Sequence, residues 1–134
     1  MTAALDRLAV DTSAVLACCL GEAGYEQFES VLTSGAQLAM SAPTRLELSI
    51  VALNRNIRTR VEEALLTYQI QVEPFTPSQA TFAIAAFTQY GKGRHPASLN
   101  FGDCCAYALA KSMKLPLLYK GNDFAQTDIA SALA

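Results

Sequence analysis

Apolar and polar positions follow two rhythms along this chain, and the switches between them outline the fold. Short apolar runs near residues 7–11, 37–40, 70–72 and 115–119 read as strands. Between them, apolar positions recur at helical spacing. Thr12-Ser13 predicts a helix start, running to Leu20, and Gly21 and Gly24 bracket the turn that follows. Residues 25–33 predict a second helix with Phe28, Val31 and Leu32 inward. Ser41-Ala42-Pro43 pairs an N-cap residue with a first-turn proline, the signature of a third helix, which extends to Asn54. A fourth helix carries Val61, Leu65 and Leu66. A fifth begins at Pro77, with Ala80, Phe82, Ile84, Ala85 and Phe87 as its apolar positions, and a sixth opens with Asp103. This alternation predicts an α/β fold. Right-handed crossovers then give a parallel sheet with helices on both faces.

Several acids break the pattern. Asp103 shares a helical face with Ala106, Tyr107 and Ala110, so a carboxylate caps a stripe that should be buried. Asp11 stands at the C-terminal end of the first strand, where open α/β sheets place their sites. Its structural alternative is helix capping, a role that Thr12 and Ser13 could equally fill. Glu47 stacks with Pro43, Ile50 and Val51, and neither Arg45 nor Arg55 lies at the spacing that would pair it on the helix. Asp123 follows the last strand in the turn Gly121-Asn122-Asp123. There an Asx-type turn is the alternative role, and Asn122 competes for the same position. If the first and last strands are neighbours, Asp11 and Asp123 meet, and the helix starts bring in Glu47 and Asp103. Carboxylates crowded without a base repel unless a cation offsets them. An all-oxygen set of this kind suits Mg²⁺ or Mn²⁺, which can activate water and stabilise charge on a phosphodiester.

Composition changes this picture only in part. The 134 residues, 51% of them hydrophobic and without low-complexity runs, predict one domain spanning residues 1–134. A net charge of −2 is unlike a nucleic-acid binder, but the balance is local. With four of the twelve acids committed to metal, the remaining eight face ten Lys and Arg, a mildly basic surface. The segment Gly91-Lys92-Gly93-Arg94-His95-Pro96 reads as a flexible cationic loop, either simply solvated or touching phosphates, and Lys120 adds a cation beside the Asp123 turn. His95 is the only histidine, which excludes a His-rich zinc site and leaves a Ser-His-Asp triad without support. The adjacent pairs Cys18-Cys19 and Cys104-Cys105 have no chelating spacing and read as thiols kept reduced in a cytoplasmic protein. No stretch is long enough to span a bilayer, and residues 8–20 lack the pattern of a secretory signal.

The chain resembles PIN-domain proteins of the VapC type, the toxins of bacterial toxin–antitoxin pairs. The resemblance is carried by Val10-Asp11-Thr12-Ser13-Ala14, by Glu47 within Arg45-Leu46-Glu47-Leu48, and by Phe101-Gly102-Asp103-Cys104 with Ala106-Tyr107-Ala108. Lys120-Gly121-Asn122-Asp123-Phe124 and Thr127-Asp128-Ile129 complete it. It implies a three-layer α/β/α fold with a parallel sheet ordered 3-2-1-4-5, although the terminal run Ala130-Ser131-Ala132-Leu133-Ala134 makes a poor fifth strand. It further implies a Mg²⁺- or Mn²⁺-dependent endoribonuclease, homodimerisation and inhibition by a VapB-type antitoxin. Carried across, Asp11, Glu47 and Asp103 bind metal, Asp123 is the fourth acid and Thr12 offers a hydroxyl to metal-bound water. Lys92, Arg94 and Lys120 are the cations placed to hold RNA. Two other readings share parts of the pattern. A phospho-acceptor receiver domain needs paired acids after the first strand, where this chain has Asp11-Thr12, and an acceptor Asp ending the third, where it has Glu73-Pro74. A PIN-like module that only binds RNA or a partner would use the acids as helix caps.

Overall fold

A computed structural model describes residues 6–133. Four strands, β1 (Arg7–Val10), β2 (Gln37–Ser41), β3 (Gln71–Glu73) and β4 (Leu117–Leu118), form one parallel sheet in the order β3-β2-β1-β4. Six helices accompany it: α1 (Thr12–Leu20), α2 (Tyr25–Leu32), α3 (Ala42–Asn54), α4 (Arg58–Thr67), α5 (Pro77–Tyr90) and α6 (Phe101–Met113). Among the described residues, no helix is long and apolar enough to cross a membrane.

The period-two alternation of strand side chains divides the core between the two faces of the sheet. Leu8, Val10, Leu38, Met40 and Leu118 face one side, with Val15, Leu48 and Val61 from the helices. Ala9, Ala39 and Leu117 face the other, with Ala106, Leu109 and Tyr90. Small strand residues on this second face let α6 lie close, and every residue of α6 from Cys104 to Ala110 is buried. The result is the three-layer α/β/α arrangement, with β1 and α6 at its centre.

The fifth position of the expected 3-2-1-4-5 order is occupied by a single parallel bridge between Leu117 and Ser131. Leu117 N–H donates to Ala130 O, and Ala132 N–H to Leu117 O, each at 2.9 Å. The bridge does not grow into a strand because β4 is itself only two residues long and the terminal segment is rich in Ala and Ser, poor strand formers. That segment is instead anchored through Asp128. Its Oδ1 accepts the Tyr107 hydroxyl at 2.6 Å and its Oδ2 meets Lys111 Nζ at 2.5 Å.

Two further features differ from the pattern-based expectation. α3 buries Thr44, Leu48 and Ala52, while Leu46, Ile50 and Leu53 remain exposed at 62%, 50% and 57%. Glu47 therefore borders an outward apolar face rather than the core. The loop Gly91–Pro96, expected to be flexible, lies within a segment closed by a Gly91–Leu99 bridge. It is further ordered by Ala97 N–H donating to His95 Nδ1 at 3.0 Å and by an edge-on contact of the His95 ring with Tyr90.

Candidate active site

β1 carries Asp11 to the C-terminal edge of the sheet, where it becomes the N-cap of α1. Its Oδ2 accepts Ser13 N–H at 3.1 Å and Ser13 Oγ–H at 2.6 Å. Asp11, rather than Thr12 or Ser13, thus caps the helix. Ser13 Oγ also accepts the backbone N–H of Lys120 at 2.9 Å, so one hydroxyl ties Asp11 to the chain leaving β4. Asp11 is only 6% exposed. Burial raises its pKa despite the lowering effect of the Ser13 bonds, and the nearby charge of Glu47 adds to the rise.

Thr12 is buried and turns its hydroxyl to Glu47, donating to Oε1 at 3.0 Å. The other face of the Glu47 carboxylate rests on Gly102, in the first turn of α6. The next residue, Asp103, forms a capping box with Asn100. Asp103 N–H donates to Asn100 Oδ1 at 2.9 Å, and Asn100 N–H to Asp103 Oδ2 at 3.1 Å. Partial burial pushes the Asp103 carboxyl up to about 6 against the opposing Asn100 bond, with further raising by the charges of Asp11, Asp123 and Glu47. Asp103 therefore senses all three other acids. Asp123 is exposed in the turn ahead of a short 3₁₀ segment, Phe124–Gln126, and its side chain caps nothing. Asn122 is also exposed, and its carbonyl accepts from Gln126 Nε2 at 3.4 Å.

The basic side chains go elsewhere. Among the described residues, Arg7 pairs with Glu73 at 3.0 Å, Arg45 with Glu62 at 2.9 Å and Lys111 with Asp128, while none of the four acids has an ion-pair partner. Glu73, at the end of β3, is thereby committed away from the site. Lys120, expected to meet RNA, holds Glu22 Oε1 at 2.9 Å. Lys92 and Arg94 are exposed, and neither side chain forms a hydrogen bond or ion pair among the described residues.

The donors near α6 suit a hard divalent cation. They are carboxylate oxygens, and burial pushes the adjacent Cys104 thiol up to about 11. Among the described residues, no three His, Cys, Asp or Glu side chains form a ready-made cage. Ser13 and Gly102, which hold two of the acids in place, are not singled out as site residues by hydrophobic pattern. The one local signal for Gly102 is a poor helix former in a helix's first turn.

Comparison with known proteins speaks to the family and the fold. The PIN domain family matches residues 8–130. Ribonuclease VapC42 of Mycobacterium tuberculosis is 42% identical over 127 residues, covering 92% of this chain and 97% of the relative. Ribonuclease VapC36 of the same organism is 44% identical over 124 residues, covering 90% and 89%. Among solved structures, the M. tuberculosis sarcin-ricin loop cleaving toxin VapC20 superposes with a TM-score of 0.74 at 17% identity, over 93% of this chain and 98% of that one. A toxin-antitoxin complex from Klebsiella pneumoniae gives 0.71 at 20% identity, over 95% and 98%. At these identities the two structures speak to the fold, and the sequence relatives speak to the family. A parallel sheet ordered 3-2-1-4, acids gathered at its C-terminal edge and this degree of identity lead to one assignment: the chain belongs to the PIN-domain family, in its VapC branch.

Proposed function

We propose that this chain is an endoribonuclease toxin that hydrolyses RNA phosphodiester bonds with Mg²⁺ or Mn²⁺ held by Asp11, Glu47 and Asp103, and with Asp123 as the fourth acid. The observation that carries this reading is the Glu47 carboxylate, held by the Thr12 hydroxyl next to Asp11 and packed against Gly102 next to Asp103, with no ion-pair partner on any of the four acids among the described residues. Relatives named ribonucleases at about 40% identity support it. A bound divalent cation would supply charge neutralisation at the scissile phosphate and a more acidic water. The chain's own residues do the positioning. Ser13 engages Oδ2 of Asp11 with both its N–H and its hydroxyl, Thr12 orients Glu47, and Asn100 orients Asp103. The exposed Lys92 and Arg94 hold flanking phosphates, so replacing both with Ala weakens RNA binding and flattens its salt dependence.

As a toxin the chain works in the cytoplasm, where its four free thiols stay reduced, and a VapB-type antitoxin restrains it. It acts as a homodimer, with a second copy covering the exposed apolar face of α3 formed by Leu46, Ile50 and Leu53. Sedimentation of Leu46→Glu/Leu53→Glu as a monomer would support that surface, and an unchanged dimer would reject it.

One observation favours a second reading, a binding module without catalysis: Asp11 and Asp103 both have structural work as helix caps. Asparagine caps about as well as aspartate but is a poor ligand for hard cations. Asp103→Asn should therefore keep the fold in either case. Loss of EDTA-sensitive RNA cleavage in this variant supports the nuclease, whereas a parent protein that cleaves no RNA in Mg²⁺ or Mn²⁺ supports the binding module.

A further inference from the structure

Gly102 lies inside α6 at an ordinary helical φ, so backbone conformation does not call for glycine there. Alanine is the better helix former at such a position. The reason for glycine is visible in the space beside it. A Cβ built on Gly102 would overlap Glu47 Oε2 and stand 2.8 Å from its Cδ and 3.0 Å from Oε1. All three atoms of the carboxylate occupy the place of the missing side chain. The same carboxylate is held from another direction by the Thr12 hydroxyl, 3.0 Å from Oε1. Thr12 is buried and has little freedom to follow if Glu47 moves. Around this contact, Pro43, Leu46, Ile50, Val51 and Phe101 line a cleft of about 280 Å³. Leu46, Ile50 and Phe101 are exposed, so the cleft opens to water and a carboxylate displaced from its seat would be hydrated there.

We propose that Gly102 is a positioning residue for Glu47. Its missing side chain is the seat of the Glu47 carboxylate, and seat and Thr12 together hold that acid one residue away from Asp103, which sets the protein's affinity for its divalent cation. The inference rests on the metal-dependent reading given above. It concerns the residue that orients a ligand, where changes typically cost tenfold to a hundredfold in metal affinity.

A double-mutant cycle on the full chain tests it, with Mn²⁺ alone as the probe, read by isothermal titration calorimetry and water-proton relaxation. Gly102→Ala should weaken Mn²⁺ binding by about tenfold or more while the metal-free protein melts no lower than the parent. In a Glu47→Asp background, where the shorter side chain no longer reaches the seat, the same change should cost less than about threefold. An equal cost in both backgrounds would show that Gly102 acts through the helix and not through Glu47, and would overturn the proposal. A fold lost in Gly102→Ala but recovered in Gly102→Ala/Glu47→Asp supports the seat, and a fold lost in both overturns it. The two readings fail separately. A parent that binds no Mn²⁺ ends the metal reading and this inference with it. Parent binding that Asp103→Asn abolishes, beside unaltered binding in Gly102→Ala, overturns the role of the glycine alone.

Discussion

Asp11 begins α1 and Asp103 sits in the first turn of α6, so each carboxylate accepts a free backbone N–H at a helix start. Their surroundings are nevertheless opposite. Asp11 follows the central strand and is sealed, with both of its bonds coming from Ser13, a single neighbouring residue. Asp103 is half open, bonded to one backbone amide, and within range of three other acids. The contrast separates two tasks that capping alone would merge. Asp11 is a sealed carboxyl whose ionisation burial makes costly, and Asp103 is a half-open one whose ionisation is opposed by partial burial and then by the charges of three other acids.

The largest expected effect tests that cost. Asp11→Asn should lower Mg²⁺-dependent RNA cleavage by at least about a hundredfold. Because the charge it removes is buried without a cation, the metal-free variant should melt a few degrees above the parent in EDTA (about 4–8 °C per kcal/mol for small domains). A lower melting point would show that the charge is compensated, and the contrast with Asp103 would collapse.

Ser13→Ala comes next. It removes a hydrogen bond to a charged group, worth about 1.5–3 kcal/mol, together with the link to Lys120. Urea unfolding should register that loss, and cleavage should fall about tenfold because Asp11 is left free to rotate. Unchanged cleavage would mean that packing, and not Ser13, fixes Asp11.

The pH dependence of Asp103 is smaller and has a definite sign. Its folded carboxyl is raised to about 6 from 3.8, so the folded state binds the proton more tightly than the unfolded chain. This contribution to metal-free stability is complete below about pH 4 and is lost as pH rises through about 6. The melting temperature of Asp103→Asn minus that of the parent, both in EDTA, should therefore grow between pH 4 and pH 6.5 and then level off. A flat difference would show that neither burial nor the neighbouring charges raises the Asp103 carboxyl. Saturating Mg²⁺ at neutral pH should reverse the trend by mass action, about 2.7 kcal/mol at a hundred times Kd.

The smallest effect sharpens the comparison from the other side. Asn100→Ala deletes half of the capping box but leaves the Asn100 backbone N–H bonded to Asp103. Stability should drop by about 1 kcal/mol and cleavage by less than about threefold. A loss as large as that of Ser13→Ala would mean that Asp103 is held as rigidly as Asp11.

The fold was legible where pattern and burial coincide. The runs at β1 and β2 are buried as read, and Asp103 does head the buried Ala106, Tyr107 and Ala110. Pattern fails where a helix is apolar on two sides. On α3 the wheel links Glu47 to Ile50 and Val51, but it does not say that Thr44, Leu48 and Ala52 form the core face. Lys120 could not be read as the partner of Glu22, because that contact spans 98 residues of sequence. The seat on Gly102 was hidden for the same reason: a glycine announces missing volume, but only the packed structure shows whose carboxylate fills it.

The Tyr107–Asp128–Lys111 cluster has a consequence for the fourth acid. Residues 119–127, with Asp123 among them, run between β4 and this anchor, so their ends are fixed independently of what lies between. Closing a slightly longer loop between fixed ends costs little, since the entropy grows only with the logarithm of length. Phe124, the neighbour of Asp123, is buried in the core between those ends, so one or two glycines inserted after Gly121 would leave the sheet intact and bulge ahead of it. Loop length here shifts the fourth carboxylate only as far as that one buried ring gives way.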